Sequence, residues 1–151
     1  DAVISFSVVV CGILIFSSLG GAWIQKKDKS VLKKALTILI AILLLVLLAL
    51  DPLMRYLLGI GSIWRYIWAL LILFPIGFLM GLPFTIGMRD LLASATQRAY
   101  AWSANGCASV VTAIVSAQIA LIFGISSILG CAIVAYLVVI ISWQQMNRVL
   151  K

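Results

Sequence analysis

No charged residue interrupts the chain between Ala2 and Ile24, and the run 35–50 consists of Leu, Ile, Ala and Val with one Thr. Runs of this length match the ~20 apolar residues needed to cross a ~30 Å hydrocarbon core. Two such runs already make a soluble fold untenable, and composition agrees: 65% of residues are hydrophobic and 10% charged, with a mean hydropathy of +1.26. At ~20 residues per crossing plus short connections, 151 residues hold at most about six membrane helices and leave no room for a separate soluble domain. The chain is therefore read as a single transmembrane helical domain over 1–151, all-α, in the lipid bilayer.

The first span, 2–24, ends in Ser17, Ser18, Gly20 and Gly21, small residues that let a neighbouring backbone come close. The stretch 25–34 follows, with Lys26, Lys27, Lys29, Lys33 and Lys34 against Asp28 alone. The second span, 35–50, has no amphipathic stripe, which predicts lipid around much of its surface. Asp51 and Pro52 disturb its far end, and 53–61 either continues the helix or lies in the interface. A third span is predicted over 63–82, opened by Trp64, Arg65, Tyr66 and Trp68 at headgroup level and kinked by Pro75. Gly77 and Gly81 form a GxxxG pair just before Pro83, and 85–98 reads as a polar connection. The fourth and fifth spans, 101–124 and 128–143, are joined by the short link 125–127, which predicts an antiparallel hairpin.

Charge bookkeeping orients this arrangement. If the 25–34 stretch is cytoplasmic, strict alternation over five spans puts Arg89, Arg98, Arg148 and Lys151 on the same side and only Arg55 and Arg65 opposite. The expected topology is N-terminus outside and C-terminus inside, in a membrane taken to be the prokaryotic cytoplasmic membrane. The formal charge of +7 is explained by this one-sided placement, so no nucleic-acid partner is expected. The odd number of spans, the opening at Asp1 without a Met, and a first apolar run too long for a signal-peptide core together suggest a fragment or a processed chain.

Chemistry is sparse. His is absent, which removes imidazole ligation of haem or zinc and the usual general base, and Cys11, Cys107 and Cys131 stand apart in apolar stretches. Asp1, Asp28, Asp51 and Asp90 all lie away from the middle of a span, where a cation or proton path needs an acid. The glycines have no strand-to-helix context for phosphate binding. No enzyme activity, cofactor or metal site is expected. At ~100° per residue, Asn105, Ser109, Thr112 and Ser116 share one face of the fourth span, beside Gly106 and a stripe of alanines. A helix interface is the preferred reading of that face, and a polar cavity lining is its rival. Gln118 lies off the stripe and needs a partner or water.

The run Gly77-Phe-Leu-Met-Gly81-Leu-Pro83-Phe-Thr-Ile-Gly87-Met-Arg89, followed by Ala101-Trp102-Ser-Ala-Asn105-Gly106-Cys-Ala-Ser109-Val, resembles the membrane portion of spermidine synthase-like proteins fused to major-facilitator-like helices. The resemblance covers about a third of the chain, within the third and fourth spans, and Thr85 and Cys107 depart from it. It implies the transporter-like half of a larger protein whose soluble aminopropyltransferase domain has no counterpart here. The expected function is thus a non-catalytic membrane scaffold, anchor or accessory subunit that meets other membrane subunits or the remainder of a longer chain. A transport domain for a small molecule such as a polyamine is the alternative.

Overall fold

The computed structural model describes residues 2–28 and 30–149, and the side chains of residues 3–28 and 30–146. Asp1, Lys29 and Lys151 lie outside the described residues, and the side chain of Arg148 lies outside the described side chains. Six helices follow in order: α1 (Ala2–Ile24), α2 (Ser30–Leu48), α3 (Leu50–Gly59), α4 (Ser62–Asp90), α5 (Ala95–Phe123) and α6 (Ile125–Val149). The fold is all-α, and five of the helices, all but α3, are long and apolar enough to cross a membrane. Contacts group the chain into two compact units, residues 1–86 and 87–151.

In the first unit, the loop after α1 turns on Asp28, whose carboxylate accepts the Ser30 N–H at 2.8 Å. Helix α2 starts there, so Lys33 and Lys34 are helical and not part of the loop. The second span, expected to have lipid around much of its surface, buries one stripe, Leu32, Ala35, Leu36, Leu39 and Leu43, while Leu44, Leu45 and Leu48 stay exposed. An all-aliphatic helix gives no sequence contrast between its two faces, which is why the stripe is invisible in the sequence. Ala49 is a turn residue, and Pro52, which has no N–H to donate, falls in the first turn of α3, where that N–H is dispensable. The stretch after Asp51 is thus a short helix of its own. Ten residues at ~1.5 Å each give about 15 Å, too short to span a bilayer.

Arg65 ties α3 to α4. Its Nε donates to the Leu57 carbonyl at 3.0 Å, and Nη2 donates to Leu58 at 3.3 Å and Ile60 at 3.2 Å. A guanidinium over the C-terminal carbonyls of a helix satisfies orphan acceptors and complements the helix dipole. The residue expected only to reach the headgroups is therefore the C-terminal cap of α3. Tyr56 and Trp68 close the same corner edge to face, with ring centroids 6.4 Å apart.

Helix α4 continues past its expected end, through Pro75 and Pro83, to Asp90. Each proline costs a backbone hydrogen bond, yet a break inside an apolar segment would expose further unpaired groups, so the helix persists. All six of the largest fully buried side chains, Ile24, Leu32, Leu36, Leu39, Leu82 and Ile86, belong to the first unit.

In the second unit, Ser94 caps α5: its hydroxyl accepts from Gln97 N–H at 3.1 Å while the Gln97 side-chain Oε1 accepts from Ser94 N–H at 3.2 Å. This capping box starts α5 at Ala95, inside the stretch expected to be a polar connection. Arg98 reaches back to the Leu92 carbonyl at 3.0 Å, and Arg89 pairs with Asp90 through Nε to Oδ1 at 2.6 Å and Nη2 to Oδ2 at 2.9 Å. A single residue, Gly124 with φ +85°, separates α5 from α6, and the two helices pack on one another.

Candidate functional site

The site residues named from the sequence fall in two places with different surroundings. Gly77, Gly81 and Pro83 lie on α4, where α1 runs alongside. A Cβ added at Gly81 would overlap the Ser17 carbonyl oxygen, and one at Gly20 would overlap that of Phe78. At Gly77 the same test meets Phe16 Cβ at 3.0 Å, and at Gly21 it meets Thr85 Oγ1 at 2.8 Å. Glycines of each helix thus receive the backbone or side chains of the other, the geometry in which van der Waals contact between backbones replaces a hydrophobic drive. Pro83 sits half-buried beside Leu82, one turn beyond Leu79, the residue whose carbonyl it leaves without a helical donor.

The register along this seam defines its direction. Ser5 pairs with Tyr66 at 3.3 Å between hydroxyl oxygens, Gly12 meets Leu70, Phe16 meets Phe74, Gly20 meets Phe78 and Gly21 meets Thr85. Sequence numbers rise together on both helices, so α1 and α4 are parallel and α2 must carry the chain back between them. The aromatic rings interlock along the same line. Phe16 and Phe74 are edge to face at 5.1 Å, Trp23 and Phe78 lie 5.8 Å apart, and Phe74 and Phe78 lie 6.0 Å apart. Such pairs contribute about 0.5–1.5 kcal/mol each beyond their burial.

The second group is on α5, where no residue is buried. Asn105, Gly106, Ser109, Thr112 and Gln118 are exposed and Ser116 is half-buried. A Cβ at Gly106 meets nothing within 4 Å among the described residues of the second unit. Ser109 donates to the Asn105 carbonyl at 2.7 Å, a bond within its own helix turn. The carboxamides of Asn105 and Gln118 make no hydrogen bond among the described residues. The structure therefore seats Gly77 and Gly81 against α1, leaves Pro83 half-buried on the same helix, and leaves the polar stripe of α5 without a cover within the second unit.

Among the described residues no group of three His, Cys, Asp or Glu side chains is placed to hold a metal. The three cysteines are free and exposed. Asp28, Asp51 and Asp90 serve, respectively, as acceptor for the α2 start, as a first-turn residue of α3 and as the partner of Arg89. What the sequence reading missed in these regions is the partnership of α1 with α4 and the cap made by Arg65. The small residues of 17–21 signalled the first, but nothing local says which helix they meet. The chain matches no protein-family model, no curated protein and no solved structure.

Proposed function

We propose that this chain is a non-catalytic membrane scaffold or accessory subunit, whose α5 face is completed by another membrane protein or by further helices of a longer chain. The observation that carries the reading is the contrast at α5. A helix of 29 residues, about 43 Å long at ~1.5 Å per residue, presents Asn105, Ser109 and Thr112 on one exposed face and buries nothing. An unpaired carboxamide in hydrocarbon is costly, and small polar faces of this kind associate by interhelical hydrogen bonds worth about 1 kcal/mol each. The likeness of the α4–α5 region to the membrane half of spermidine synthase-like fusion proteins supports the same reading. On the charge distribution, the Lys-rich stretch faces the cytoplasm, with the N-terminus outside and the C-terminus inside the prokaryotic cytoplasmic membrane.

The transport alternative has less support, because a multiply charged amine crossing low dielectric needs a carboxylate on its path, and every described Asp serves at a helix end. Extraction of the native complex in mild detergent, followed by intact-mass analysis, tests the proposal. A fixed-ratio partner, or a mass well above 16.4 kDa, is expected. A homogeneous 16.4 kDa monomer that binds labelled polyamine, with binding lost on changing Asn105 or Gln118, would favour the transport reading instead. Labelling of single cysteines introduced beside Lys29 and at Ser126 tests the orientation, with opposite sides expected.

A further inference from the structure

On the face of α2 opposite its buried stripe, Lys33, Lys34, Thr37 and Ile38 line a shallow, open and mostly apolar depression. Neither lysine ammonium has an ion pair or hydrogen bond among the described residues. The two charges stand at the start of a helix whose first turn contains no acidic residue, so they add to the positive end of the helix dipole. The only nearby carboxylate in the sequence, Asp28, is engaged by the Ser30 N–H at 2.8 Å. Thr37 donates its hydroxyl proton to the Lys33 carbonyl at 3.0 Å and so lines the depression without competing for an anion. Among the described residues this charge is uncompensated.

The remainder of that face is apolar. Ile38, Ala41, Leu45 and Leu48 continue from Lys34 at helical spacing, and Ile38, Leu45 and Leu48 are 52%, 66% and 81% exposed. From Lys34 to Leu48 this track is about 21 Å long at ~1.5 Å per residue. One leaflet of hydrocarbon is about 15 Å, half of the ~30 Å core, so the track is long enough for an acyl chain. Two ammoniums at one end of a greasy track are complementary to an anionic headgroup followed by its tail.

We propose that Lys33 and Lys34 bind the phosphate of an anionic phospholipid, whose acyl chain lies along Ile38, Ala41, Leu45 and Leu48. The inference needs only that α2 lies in a bilayer, and it stands or falls separately from the scaffold reading.

The test uses the full chain purified in a neutral detergent, with native mass spectrometry as readout. The probes are a phosphatidylglycerol, the phosphatidylcholine with the same acyl chains, and inorganic phosphate. Phosphatidylglycerol is expected to remain bound and phosphatidylcholine is not, and about a hundredfold excess of inorganic phosphate leaves the bound lipid in place. K33Q/K34Q weakens phosphatidylglycerol binding about tenfold or more, the scale expected for two lysines near an anionic headgroup, while K33R/K34R retains it. K26Q/K27Q changes it less than about twofold. Undiminished binding in K33Q/K34Q overturns the proposal. So does an equal loss in K26Q/K27Q, which means diffuse attraction, or displacement by inorganic phosphate, which means a free-anion site. Should K33Q/K34Q fail to fold, Ile38→Glu gives an independent reading, because a carboxylate in the track must lower the affinity and an unchanged affinity contradicts the site.

Discussion

The seam between α1 and α4 and the exposed face of α5 are made of similar residues, with opposite outcomes. At Gly20 and Gly81 an added Cβ would fall on the backbone of the neighbouring helix, and at Gly21 and Gly77 it would press on Thr85 and Phe16, whereas Gly106, beside Ser109 and Thr112, faces open space. A small residue therefore permits close approach without causing it. The seam closes because α1 offers Phe16 and Ser17 to the α4 glycines while α4 offers Phe78 and Thr85 to the α1 glycines, and aromatic rings lock the register. The α5 face has small and polar residues but meets no matching surface within the second unit.

The largest expected effect separates these two regions directly. Gly81→Leu, or Gly20→Leu, must push two backbones apart and should cost about 3 kcal/mol or more of thermal stability in detergent. Gly106→Leu in the isolated chain should stay within about 0.5 kcal/mol, as substitutions at open surface positions do. Equal losses would mean that α5 is packed as tightly as the seam. Leu44→Ala, at the exposed side of α2, should resemble Gly106→Leu.

Next in size is the hinge of the second unit. Gly124 holds φ +85° and ψ 166°, a backbone region essentially reserved for glycine. Gly124→Ala should lower the stability of the α5–α6 pair by about 1–3 kcal/mol, seen as faster hydrogen exchange in those helices with α1 and α4 unaffected. A similar loss at the seam would show that the two regions fold as one cooperative unit. Arg65→Gln removes the charged cap from three carbonyls at the end of α3 and should cost about 1–3 kcal/mol, localised to exchange protection of residues 50–68. The smallest expected effect is that of Ser94→Ala, about 1 kcal/mol, read as fraying of the first turn of α5.

These differences mark what the sequence could express. Hydrophobic length alone located the five spans, because crossing hydrocarbon imposes one requirement on every such helix. Helix ends depended on subtler chemistry. The Ser94 and Gln97 pair is a capping box legible in the sequence, although it lies within a stretch whose polar composition reads as a connection. The third span, expected to end at residue 82 just before Pro83, runs on to Asp90, because the demand for backbone satisfaction keeps the segment helical past the proline. The buried stripe of α2 left no trace, since Leu36 and Leu44 are the same residue type in opposite environments. The partnership of α1 with α4 was legible only as a supply of small residues on each, because which helices meet is decided by the three-dimensional path of α2 and α3 between them.

The central claim is that the polar face of α5 is covered by protein in the native assembly, and an accessibility scan along this helix tests it most directly. Single spin labels would be placed at Asn105, Ser109, Thr112 and Ser116, and on the opposite face at Val110, Ile114 and Leu121, in native membranes, with collision by lipid-dissolved oxygen as the readout. The account predicts low accessibility at the first four positions and high accessibility at the other three, a contrast that disappears when the chain is purified alone into detergent. Uniformly high accessibility around the helix in the native membrane would contradict it.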